Sequence, residues 1–222
     1  GGSRMGAPGK SQALQQVDAY GMPGVASKEM GPGCQASSLA YLLCAYALIC
    51  VGTVSTMLIA NMLCIFIFSL YYRFILHSRA PTADMRSAFA WAKKLDGLFI
   101  MHMSVAWALG LPVVGMIAAL MITFVFGDPH SLRALVFVTS MTSTSVSLYR
   151  VGASSALIGY VACNVLALGS FACHYVDKWT CTRLWLWHGG TAMAFFLAVT
   201  GMARADPESL GYPTHGVFYV AG

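Results

Sequence analysis

Arg150 is the one charged side chain between Arg133 and Asp177. An arginine isolated in an otherwise uncharged stretch has two uses. It marks a water-facing turn, or it stands inside a membrane, where a charge costs at least ~2.5–3.5 kcal/mol and signals function by default. Arginine suits the second use, because it does not deprotonate to escape that cost. His102, His174 and His188 titrate near neutral pH, and Asp84, Ser147 and Thr191 add a carboxylate and two hydroxyls. The plain use of Asp84 is helix capping, and that of the histidines a hydrogen-bonded or interfacial position. The seven cysteines form no CxxC pair and no Cys/His ligand spacing, so no metal site and no resident cofactor is expected. Cys44, Cys50, Cys64 and Cys163 read as small apolar residues. Cys173 and Cys181 flank one short loop and could pair.

The elements that must position these residues are apolar. Of 222 residues, 58% are hydrophobic and only 9% are charged, and the mean hydropathy is +0.68. That excludes an ordinary water-soluble domain and fits an all-α polytopic membrane protein with about four or five membrane helices. The net charge of +5 is scattered, with no basic cluster for nucleic acid. Residues 1–37 are dense in Gly, Pro and Ser and read as an irregular, water-facing arm. Residues 38–204 form the membrane domain, and 205–222 a polar tail.

Residues 39–72 carry no charge and lack a Pro or Gly cluster, so they read as one long helix over about 37–78. Tyr71, Tyr72, Arg73, His77 and Arg79 at its end resemble an interfacial anchor. Pro81 and Thr82 mark a second helix start, with Asp84 in its first turn. Gly110-Leu111-Pro112 should kink or break the next apolar run. The turn Gly127-Asp128-Pro129 closes that run, and residues 184–203 form the last helix.

Residues 131–176 admit two readings. In one, they form a hairpin with Arg150 in its turn. The first arm would then be short, and polar with Thr139, Ser140, Thr142, Ser143, Thr144, Ser145 and Ser147. In the other, they form one helix about 69 Å long at 1.5 Å per residue. That is more than twice the hydrocarbon thickness, so the helix would lie strongly tilted, with Arg150 near mid-membrane. The second reading is the one adopted for the fold.

Three features resemble subunit a of the rotary F-type ATP synthases. Pro81-Thr82-Ala83-Asp84 is similar to the motif that precedes a membrane helix in that family. Ser147-Leu148-Tyr149-Arg150 resembles the stretch that leads into the family's essential arginine, at a similar distance from Asp84. Residues 188–203, HGGTAMAFFLAVTGMA, lie where the family places its last helix, with His188 near a position usually held by glutamine. The resemblance covers residues 80–204. The sequence departs from the family at Ser154, usually asparagine, and at Gly159, often glutamate or histidine. Its last helix has no carboxylate, and Lys93, Lys94 and Asp96 fall where the family is apolar.

The resemblance implies a proton-translocating stator subunit in the mitochondrial inner membrane, or second, a bacterial plasma membrane. Its partners would be a c-ring, other membrane-sector subunits, the lipid bilayer and protons. Arg150 would separate two aqueous half-channels and favour the ionised form of each ring carboxylate as it passes. His188, His174, His102, Asp84, Ser147 and Thr191 would line the half-channels. Gly152, Ser154, Ser155 and Gly159 would let the ring approach closely. The chain would not be catalytic by itself. A start without Met fits removal of an organellar presequence or a tag ahead of Met5.

Two rivals make different demands. A haem-bearing subunit of a respiratory complex would use His77 with His102 and His174 with His188. A structural multi-span scaffold would place Arg150 in a solvent-exposed turn.

Overall fold

A computed structural model describes residues 36–76, 82–126, 130–172 and 181–213. The other part of the arm and of the tail, His77, His174, Cys173 and hence the Cys173–Cys181 pairing lie outside the described residues. Seven α-helices and no strand are found among the described residues: α1 Leu39–Val51, α2 Thr56–Leu76, α3 Ala83–Leu109, α4 Pro112–Leu120, α5 His130–Arg150, α6 Ser154–Ala172 and α7 Cys181–Ala205. A π-helical turn, Met121–Val125, extends α4. Two helices, over Thr56–Ile75 and Leu184–Ala205, are long and apolar enough to cross a membrane.

The single helix expected over 37–78 is two helices. Gly52 takes φ +77° and its N–H bonds Leu48 O, ending α1. Ser55 then starts α2, its hydroxyl accepting from Met57 N at 3.3 Å. A lone glycine followed by a serine cap is enough to turn the chain, with no Pro or Gly cluster.

The single helix expected over 131–176 is also two, and this corrects the fold reading. Gly152 takes φ +75°. Its N–H reaches Tyr149 O at 3.1 Å, and the Ala153 N–H reaches Leu148 O at 2.9 Å. These two bonds form a Schellman stop, which closes α5 at Arg150. Arg150 therefore occupies the last turn of a helix, where its charge complements the negative helix end. It does not stand in mid-helix.

The break at Gly110-Leu111-Pro112 is a full reversal. Gly110 caps α3 at φ +69° and Pro112 opens α4. The chain folds back so closely that a Cβ at Gly115 would lie 2.7 Å from the Ala106 backbone. Trp91 on α3 meets Phe124 beyond α4, with ring centroids 6.2 Å apart.

Pairs between other helices fix the topology. Phe68 stacks on Phe99, and Tyr72 meets Phe89 edge-on, so α2 runs antiparallel to α3. Phe137 meets Trp187, and Ser147 reaches Met202, so α5 runs parallel to α7. Tyr41 meets His188, and Cys44 bonds Ala192 O, so α1 also runs parallel to α7. The helices thus alternate up and down. Between α6 and α7, small residues allow close approach. A Cβ on Gly190 would lie 3.0 Å from Ala167 Cβ, and one on Gly201 would lie 2.5 Å from Ala156 Cβ.

The described start of the tail is not a free polar segment. Ser55 N–H bonds Leu210 O at 3.0 Å, and Tyr212 and Pro213 are buried. Burial raises the Tyr212 phenol above its usual range. Residues 206–213 return over the ends of α2 and α7, where Gly211 rests on Val199 and Leu58.

Candidate functional site

Arg73 follows an uncharged run that reaches back to Met30, and it lies in the last turn of α2. Its side chain is only 7% exposed. It is held where α1 begins and where α7 is in its third turn. Its Nη2 lies 2.7 Å from His188 Nε2, and its Nη1 donates to Ser37 Oγ at 2.9 Å. Ser37 Oγ lies 2.7 Å from His188 Nδ1. Arg73 Nη1 also lies 3.1 Å from His188 Nδ1, so both ring nitrogens face the guanidinium, and neither tautomer satisfies every contact.

Four more residues stand near this centre. Tyr41 packs its ring on His188 at 5.3 Å between centroids. Thr191 donates to Trp187 O at 2.7 Å, so Tyr41 OH is the donor to Thr191 Oγ1 at 2.9 Å. Arg73 Nη2 also donates to Tyr72 OH at 3.3 Å. Asp96 on α3 turns its Oδ1 into the interior, where it has no hydrogen-bond partner among the described residues. Arg73 and Arg133 are the cations that act on it.

From Thr191 the polar lining continues inward. A cavity of about 50 Å³ is lined by Thr191, Ser104, Ser140, Tyr160 and Asn164 among apolar neighbours. Its volume admits water, which needs ~10–15 Å³ and polar partners. Ser140, Ser143, Thr144 and Ser147 recur at helical spacing on α5 and are all buried. They carry the polar lining on towards the Arg150 turn. Arg150 itself is exposed. Gly201, beside Leu148 and Ala153, and His188 are about 20 Å apart along α7. The Arg73 centre and the Arg150 turn therefore occupy opposite ends of the bundle.

The remaining candidates separate. His102 is fully buried, with Nδ1 2.9 Å from Asn61 Oδ1 and Nε2 3.0 Å from Pro112 O. Exchanging the Asn61 amide atoms gives one consistent pair of bonds to His102: Nδ2 donates to Nδ1, while Nε2–H donates to Pro112 O. His102 thus ties α2, α3 and the start of α4 together, away from the Arg73 centre. Asp84 is exposed in the first turn of α3, beside the Thr82 cap, whose hydroxyl accepts from Met85 N at 3.2 Å. Ser147 is buried against Met202. Gly152, Ser154 and Ser155 are exposed at the turn and in the first turn of α6, whereas Gly159 faces Leu197 of α7.

The structure brings His188 and Thr191 together and adds Ser37, Tyr41, Tyr72, Arg73 and Asp96, which the site reading did not include. Two signals for them lay in the sequence. Arg73 ends a long uncharged run, and Asp96 stands at the edge of an apolar one. No group of three or more His, Cys, Asp or Glu capable of holding a metal occurs among the described residues. Comparison with protein-family models, curated proteins and solved structures finds no match to this chain.

Proposed function

We propose that the chain is a polytopic membrane protein that carries protons, and that it serves as subunit a, the stator, of a rotary ATP synthase in the mitochondrial inner membrane. The observation that carries this reading is the pattern of exposure. Asn61, Arg73, His102, Ser143, Thr144, Ser147, Asn164 and His188 are buried. Val113, Ile117, Leu135, Val138, Ile158 and Val165 are exposed. Apolar residues outside and polar residues inside suit lipid as the solvent. The interior polar groups run from the Arg73 centre past a water-sized cavity towards Arg150.

Arg150 adjoins Tyr149, which is 76% exposed, and the α6 face that carries Ile158, Val161 and Val165. In the stator reading this face meets the ring, and Arg150 meets each arriving carboxylate. Its permanent charge draws off the carboxyl proton and blocks direct leakage. The interior polar groups supply one access path. The motif order Thr82-Ala83-Asp84, Ser147–Arg150 and the last helix supports the assignment to subunit a.

The placement of Arg150 in a Schellman turn favours a second reading, a multi-span structural subunit in which Arg150 only complements a helix end. One experiment separates the two. Gently solubilised native membranes are run on a native gel, and the chain is located by mass spectrometry. Comigration with a band that hydrolyses ATP in the gel is the expected result. Arg150→Ala then abolishes proton-coupled synthesis and leaves hydrolysis by the catalytic head. Migration alone, or with a haem-staining complex, overturns the stator reading.

A further inference from the structure

The buried centre needs a group that can change its proton count, and the arrangement of hydrogen bonds singles one out. Arginine side chains do not serve as proton carriers, because the guanidinium holds its proton in proteins. Both ring nitrogens of His188 lie within 3.1 Å of an Arg73 nitrogen, so a further proton would have to displace the guanidinium. The Thr191 hydroxyl is committed to Trp187 O, and the Tyr41 hydroxyl to Thr191. Asp96 differs from all of these, because its interior oxygen is buried and has no hydrogen-bond partner among the described residues.

We propose that Asp96 is a proton-binding site of the bundle interior, its buried Oδ1 taking up and releasing one proton. The inference rests on the reading that the chain carries protons. Uptake forms one O–H bond at the carboxylate and breaks one in a hydronium or water donor; release reverses both, and no electron changes hands. Burial opposes the charged form, while the two arginines favour it. The charges that act on Asp96 are Arg73 of α2 and Arg133 of α5, and Asp96 in turn acts on the phenols of Tyr41 and Tyr72. Asp96 also accounts for an oddity of the sequence, a carboxylate placed just before the apolar stretch of α3.

The test uses the full chain in phosphatidylcholine vesicles. Infrared difference spectra between acid and alkaline buffer report protonated carboxyl groups. Wild type should show a carboxyl carbonyl band of a water-poor environment, and Asp96→Asn should lose it. Asp96→Glu should keep the band with a displaced pH midpoint, which guards against loss through misfolding. Arg73→Leu removes one facing cation, so its band should persist about 1–3 pH units higher. A band unchanged in Asp96→Asn, or absent from wild type, overturns the proposal. The spectra are independent of the native-gel result, so failure of the stator assignment and failure of the Asp96 site are distinguishable.

Discussion

Arg73 and His188, 115 residues apart in the chain, meet in the interior with Nη2 of the arginine 2.7 Å from Nε2 of the histidine. The contact joins the end of α2 to the third turn of α7, and Ser37 closes it from the start of α1. A buried guanidinium is tolerated only where its donors find acceptors. Here Ser37 Oγ, His188 Nε2 and Tyr72 OH supply them.

His188→Ala therefore leaves a buried donor unsatisfied. The expected loss is about 1–3 kcal/mol of stability. His188→Gln restores an acceptor and should recover more than half of it. Thermal unfolding of both variants in one detergent checks the order. Equal losses would show that the hydrogen bond contributes little and that His188 acts through its volume.

The helix breaks were poorly legible in the sequence, and for the same reason at both sites. Gly52 and Gly152 are single glycines without a neighbouring Pro, Asn or Asp. A single glycine inside an apolar run is compatible with a continuing helix as well as with a stop. Gly110-Leu111-Pro112 was legible as a break because glycine and proline act together there. The all-helical character and the last helix were legible from apolar runs alone. The α5 hydroxyls stood out as too polar to face lipid, and they are buried. The Arg73 centre was not legible as a site: its members come from α1, α2, α3 and α7, and no local spacing links them.

Close packing between α6 and α7 should tolerate no added methyl at its tightest point. A Cβ at Gly201 would lie 2.5 Å from Ala156 Cβ and 3.1 Å from a Leu148 methyl. Gly201→Ala should cost about 1–3 kcal/mol through overpacking. Gly169→Ala on α6 is the control, since open space surrounds its Cβ position. Denaturation in mixed micelles should separate the two. A neutral Gly201→Ala would show that the helices stand further apart than the structure has them.

The return of residues 206–213 gives a third test. Ser55 N–H bonds Leu210 O, and Gly211 covers Leu58 and Val199. Truncation before Pro207 should speed hydrogen exchange at the Ser55 amide and lower the unfolding temperature. Exchange unchanged on truncation would mean that the segment contributes nothing to holding the α1–α2 turn.

The sign of one substitution decides between a broken and a continuous helix at Arg150. Gly152 has φ +75° and no atom within 4 Å of its Cβ position, so alanine meets no steric obstacle there. Only the backbone preference remains. In the left-handed conformation an alanine costs about 1–2 kcal/mol. In a continuous helix the same change would stabilise by roughly 0.8–1.0 kcal/mol. Gly152→Ala should therefore destabilise the isolated chain. Repeating the measurement on the native assembly extends the test to the bound state. Destabilisation there too would mean that the Schellman turn persists and that Arg150 works from a helix end. Stabilisation only in the assembly would mean that binding straightens residues 150–154 and carries Arg150 into mid-helix, which joins a conformational change to the stator role.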